Sequence, residues 1–121
     1  SGEDEGFTEE IPLGLYEYVA AHSSTLPDIL CNDRLRSDYL RQTKTVRSNC
    51  TVDQFTQLNA QLECKPSQPM RRCVRSLLKH LHPDKAGQDK KCAQSMYKEI
   101  SEAVGELRAR PTFDESAAQC P

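Results

Sequence analysis

Six cysteines, at positions 31, 50, 64, 73, 92 and 120, restrict what this chain can fold into more than any other feature. No two form a Cys-x-x-Cys pair, and His22, His80 and His82 do not complete a ligand spacing with them, so no metal site is predicted. An even count without metal spacing predicts a disulfide framework, and with it an oxidising compartment. Reduced cysteines packed in a cytosolic core are the other reading, because a free thiol behaves as a small buried hydrophobe. "NCT" at Asn49–Thr51 fits the N-glycosylation acceptor pattern, which has a use only in a secretory setting.

The cross-links would serve a chain with a modest core. Its 121 residues suit one compact domain with an extension. Only 36% of them are hydrophobic, with no Trp, four Tyr and three Phe, against 28% charged, so a helical fold with a well-solvated surface is expected. A net charge of −2 lacks the surplus of Lys and Arg on which nucleic-acid affinity rests. No apolar run approaches the ~20 residues of a membrane span. No signal-peptide pattern is visible, and "SGEDEGFTEE" reads as an acidic linker, so the segment is expected to belong to a longer protein.

The chain divides near residue 48. Residues 1–48 read as a linker and helical extension, with helical patterning in "PLGLYEYVAAHSS" and "LPDILCNDRLRSDYLRQTK". Ile29, Leu30, Leu35, Tyr39 and Leu40 form one broad apolar face there. Ser24–Pro27 reads as a break, with the next helix beginning at Pro27 or Asp28.

Residues 49–121 read as a helical domain. Thr51 caps a helix through "VDQFTQLNAQLEC", whose stripe is Val52, Phe55, Leu58 and Leu62. "KPSQP" interrupts it, and Ser67 is the expected cap of the next helix. Met70, Val74, Leu77, Leu78 and Leu81 line one face of that helix, while Arg72, Arg75 and Lys79, three and four apart, make a positive stripe beside Arg71. Like charges at that spacing repel by a few tenths of a kcal/mol per pair, a small strain that a partner removes. Pro83 ends the helix near His80–Leu81. After a polar loop, a last helix from about Asp89 to Arg108 buries Ala93, Met96, Tyr97, Ile100, Ala103, Val104 and Leu107. "TFDESAA" reads as a final turn. Two amphipathic helices joined this closely pack antiparallel, leaving His82, Pro83 and Asp84 at the tip of a hairpin. Cys64 and Cys120 flank its other end and are the favoured disulfide pair; each disulfide is worth about 2–4 kcal/mol.

These residues, over roughly 50–116, resemble the J-domain, the co-chaperone module that activates heat-shock ATPases of the seventy-kilodalton class. The family's His-Pro-Asp tripeptide matches His82, Pro83 and Asp84, and its basic second helix matches Arg71, Arg72, Arg75 and Lys79. Its third-helix pattern falls on Tyr97, Ile100, Ala103, Val104 and Leu107. Phe55, Leu58 and Asn59 stand where the first helix has an aromatic, then Leu-Gly, and Arg110, Phe113 and Asp114 where Arg-x-x-Tyr-Asp follows the third helix. "HPDKAG" is similar to the auxilin-like subgroup. Val74 replaces a usual tyrosine, and neither the cysteines nor the first forty-odd residues have a counterpart.

The resemblance implies an all-α, J-domain-like hairpin whose triplet and basic helix dock on a heat-shock ATPase. Asp84 would pair with an arginine of the chaperone and Pro83 would hold the loop, with no catalytic acid or base. No cofactor is implied, and no constellation for a thiol oxidoreductase or a His-Asp hydrolase is present. The rival reading is a J-like fold without chaperone activity, reused as a disulfide-stabilised interaction module of a larger secreted protein, with the N-terminal helices contacting another protein. Burial of Arg72, Arg75 or Lys79 under those helices would favour the rival. The cysteines and the Asn49–Thr51 pattern together predict the secretory pathway, with the cytosol as the alternative.

Overall fold

Polar side chains that compete with the helical backbone cut the first half of the chain into short pieces. The computed structural model describes residues 6–7, 10–85 and 87–121. Among them are seven α-helices: α1 (Leu15–Ala21), α2 (Leu26–Cys31), α3 (Asp33–Gln42), α4 (Lys44–Asn49), α5 (Val52–Asn59), α6 (Met70–Leu81) and α7 (Lys90–Arg108). Thr25, not Pro27 or Asp28, starts α2: its hydroxyl accepts from the Asp28 N–H (3.3 Å) while the Asp28 carboxylate accepts from the Thr25 N–H (3.0 Å). Asn32 and Thr43 adopt extended backbone and accept from Leu35 N–H and Val46 N–H, which divides the next segment into α2, α3 and α4. The buried members of the expected face are Ile29, Leu30, Tyr39 and Leu40; Leu35 is half-buried.

The second half follows its periodicity. Thr51 and Gln54 form a capping box on α5, but the helix stops at Asn59, short of the expected Cys64. Tight turns return Gln61 N–H to Leu58 and Leu62 N–H to Asn59, and the Cys64 N–H is held by the Asp33 carboxylate (3.0 Å). Ser67 does not cap α6. It lies in left-handed backbone (φ 65°), and Pro69 occupies the cap position without a side-chain bond. The uncapped amide is met by the returning C-terminus: Met70 N–H donates to Ala118 C=O (2.9 Å), and Ser67 and Gln68 exchange bonds with Cys120. α7 spans the predicted length and buries Cys92, Ala93, Met96, Ile100, Ala103, Val104 and Leu107, leaving Tyr97 half-buried. The polar loop between α6 and α7 holds two single 3-10 turns, Pro83–Lys85 and Gly87–Asp89.

α6 and α7 pack together as a helical hairpin. α2 and α4 close over α7, and α2 also meets α6, so one buried cluster takes residues from Phe7 to Cys120. The fold is all-α and disulfide-stapled. Cys31 pairs with Cys120, Cys50 with Cys92 and Cys64 with Cys73, with Cα atoms 5.5, 4.7 and 5.3 Å apart. The expected Cys64–Cys120 pair does not form. The C-terminus returns to the base of α6 as anticipated, but Cys120 bonds across to the end of α2, and Cys64 closes a short loop onto α6. No helix among the described residues is long and apolar enough to cross a membrane.

Candidate functional site: the hairpin tip and the α6 face

His82 ends α6 because Pro83 follows it. Its backbone is extended (φ −60°, ψ 129°), the region the residue before a proline prefers. From there its Nδ1 accepts the Asp84 N–H at 3.3 Å, a bond that needs the unprotonated Nδ1 and leaves Nε2–H as the ring's free donor. The Asp84 carboxylate lies 3.6 Å from the same Nδ1. That contact is an ion pair only with a protonated ring, so the two arrangements exclude one another. With His82 and Asp84 side chains 49% and 82% exposed, the ion pair contributes little. The Tyr97 and His82 ring centroids are 6.0 Å apart, with the rings nearly perpendicular (87°). Tyr97 packs half-buried against the core, as its periodicity predicts, and also meets the tip from α7.

Met70, Cys73, Val74, Leu77 and Leu81 commit the opposite face of α6 to the core. Arg71, Arg72, Arg75 and Lys79 are all exposed, and none enters an ion pair among the described residues. The N-terminal helices do not cover them. Every predicted triplet and stripe residue thus lies on α6 or the turn that follows it. Pro83 is half-buried, and Asp84 projects a carboxylate that is 82% exposed and, among the described cationic side chains, has His82 alone near it. His80 and His22 are satisfied locally, by Ser76 C=O at 2.8 Å and Tyr18 C=O at 2.9 Å. Asn49 is half-buried at the end of α4, next to the disulfide of Cys50.

Periodicity missed a polar cluster behind this face. Arg36, on α3, is 1% exposed. Its Nη1 donates to Leu30 C=O (2.6 Å), a carbonyl that the end of α2 leaves free, and its Nη2 donates to Asp33 (2.7 Å). Burial lowers the pKa of the guanidinium, with Asp33 opposing the shift. Gln42 is also buried and holds the N-terminal segment through Leu13 N–H (2.6 Å) and Leu13 C=O (3.0 Å). The signal for Arg36 was its place three residues after Asp33 on the face that also carries Tyr39 and Leu40.

Comparison of the chain with protein-family models, curated proteins and solved structures gives no match.

Proposed function

We propose that this domain is a J-domain-like co-chaperone module that docks on a heat-shock ATPase of the seventy-kilodalton class and stimulates its hydrolysis. The observation that carries this reading is the exposure of His82 and Asp84, on either side of half-buried Pro83, together with that of Arg71, Arg72, Arg75 and Lys79 on the adjoining helix, cations with no ion pair among the described residues. The cationic face steers the domain to an acidic surface of the chaperone and loses its self-repulsion there. Asp84 supplies a carboxylate for an arginine of the partner, Pro83 fixes the turn, and His82 ties its own ring to the Asp84 amide. The module has no reaction of its own. It binds one conformation of the ATPase more tightly than the other, and that difference drives hydrolysis.

The three disulfides fit an oxidising environment. The ATPase partner would accordingly be lumenal, and the domain part of a larger secretory-pathway protein. The test is single-turnover ATP hydrolysis by a lumenal heat-shock ATPase, with this domain and with its His82→Gln variant. Stimulation by the first alone is expected. Equal, negligible rates with both, repeated with a cytosolic chaperone, overturn the reading.

Ile11 and Tyr16 favour a second surface. They are 84% and 54% exposed in the N-terminal segment and are the large hydrophobics left in solvent among the described residues. A J-like interaction module binding a further protein would use that segment and leave the tip idle. Ile11→Asp would then abolish complex formation, and His82→Gln would not.

A further inference from the structure

Asn49, Cys50 and Thr51 form the one Asn-x-Ser/Thr pattern in the chain, since neither Asn32 nor Asn59 has Ser or Thr two places on. In the fold they make the joint between two helices. Asn49 is the last residue of α4, Cys50 and Thr51 adopt extended backbone (φ −122°, ψ 142° and φ −79°, ψ 163°), and α5 begins at Val52. The Asn49 side chain is half-buried and has no hydrogen bond among the described residues, while Ser48 and Thr51 on either side are exposed. A substituent on the Asn49 amide therefore breaks no native hydrogen bond there and has solvent beside it.

The other two places of the pattern are committed once the domain has folded. Cys50 is buried and bonded to Cys92 on α7, and its N–H donates to Val46 C=O (2.9 Å). The Thr51 hydroxyl accepts from Gln54 N–H (3.1 Å), and the Thr51 N–H donates to the Gln54 side-chain oxygen (3.0 Å). An enzyme that reads the backbone and hydroxyl of this pattern finds both in use, so modification belongs to the unfolded chain. Synthesis supplies the interval. Cys92 lies 42 residues after Cys50, so at about 5–20 residues per second Cys50 waits roughly 2–8 s for its partner to be made. Disulfide formation then takes seconds or longer.

We propose that Asn49 carries an N-linked glycan, attached before Cys50 closes on Cys92. This rests on the secretory-pathway reading above. The donor is an oligosaccharide linked to a lipid diphosphate, moved by a lumenal transferase. A bond forms between Asn49 Nδ2 and the anomeric carbon. The bond from that carbon to the diphosphate oxygen breaks, and its electron pair leaves with the lipid diphosphate, while Nδ2 gives up one proton to solvent. The disulfide follows, when Cys50 and Cys92 pass two electrons and two protons to a disulfide acceptor, which becomes a dithiol. A glycan is bulky and solubilising, so it marks the α4–α5 joint as a face turned to solvent in the assembled protein.

The test expresses the chain behind a secretion leader in animal cells, with a short radiolabel pulse and a chase. Free thiols are blocked at each time with a maleimide of known mass, and samples are run with and without peptide-N-glycosidase. After the pulse, glycosylated chains whose Cys50 is still open to maleimide are expected, and during the chase these chains gain the disulfide. The secreted chain loses one glycan to the glycosidase, with Asn49 becoming aspartate. Asn49→Gln abolishes the shift. Thr51→Asp does so too, although Asp still caps α5, which separates loss of the pattern from loss of the fold. Cys92→Ser leaves Cys50 without its partner and does not lower the glycosylated fraction. A secreted chain with its three disulfides closed and no glycosidase shift overturns the proposal and leaves the compartment reading standing. Oxidised, unglycosylated chains that acquire the sugar during the chase overturn the order of events. Six blocked thiols in the secreted chain overturn the oxidising reading, and the proposal with it.

Discussion

The two ends of α6 are built on opposite terms. Its N-terminal end is held by Cys64–Cys73, by backbone bonds from Ala118 and Cys120, and by the Arg36 cluster behind it. Its C-terminal end carries His82 and Asp84 into solvent on either side of half-buried Pro83, with the turn packed on α7 beside the Tyr97 ring and closed by a local bond. Substitutions at the first end should therefore change stability, and substitutions at the second should change binding.

The largest effects belong to the cross-links. Restricting the unfolded chain is worth more as the closed loop lengthens. Cys31–Cys120 spans 89 residues, Cys50–Cys92 spans 42 and Cys64–Cys73 spans 9. Paired alanine substitutions should lower stability by about 4–5, about 4 and about 2–3 kcal/mol in that order. Denaturant unfolding without reductant checks the ranking. A reversed order would mean that native packing around the sulfurs, not chain entropy, sets their worth.

Arg36→Ala follows, with a loss of about 3 kcal/mol, because it leaves Leu30 C=O buried without its donor and Asp33 without its cation. Arg36→Met keeps the volume of the stem and should lose less. Equal losses would show that the buried hydrogen bonds, and not the packing, carry the effect.

The two ends also differ in how plainly the sequence displays them. The face of α6, its stop at Pro83 and the whole of α7 are legible, because period and proline chemistry act locally and nothing distant overrides them. Arg36 and the disulfide pairing were not, because both depend on which segments meet. Cys31 sits 89 positions from Cys120, and no spacing rule links them. Ser67 misled for a similar reason: its side chain suits a cap, but the returning C-terminus satisfies the α6 amides and holds Ser67 in left-handed backbone. Asn32 and Thr43 were readable as caps, yet the apolar face running past them suggested one helix.

An intermediate effect is expected at Tyr39, on α3. Burial first, then the carboxylates of Glu99 and Glu102, raise the pKa of its hydroxyl. A raised folded-state value means that the neutral phenol is the form the fold favours. That contribution is complete below the unfolded-state value of about 10 and falls away as the pH climbs from there toward the folded one. Tyr39→Phe should change stability little at neutral pH, since the bond to Glu99 is long at 3.4 Å. It should also flatten the alkaline loss seen by denaturation at a series of pH values. An unchanged alkaline limb would place that loss on other groups.

The smallest effect on stability is expected where the largest effect on binding is. Asp84→Asn removes a carboxylate that is 82% exposed and replaces it with a side chain of the same shape. His82→Gln removes a half-exposed ring whose bond to the Asp84 amide closes a turn that Pro83 already fixes. Each should shift unfolding by no more than about 0.5 kcal/mol, well below any change at the sulfur-held end. Arg72→Glu with Lys79→Glu should be as mild, and by ending the like-charge contacts of the stripe should stabilise α6 by a few tenths of a kcal/mol. On the proposed ATPase, the charge-reversed stripe should slow association and reverse its salt dependence, while Asp84→Asn should abolish stimulation even where association persists. A tip variant that unfolds the domain as readily as Arg36→Ala would show the turn to be structural, and the division between the two ends of α6 would be lost.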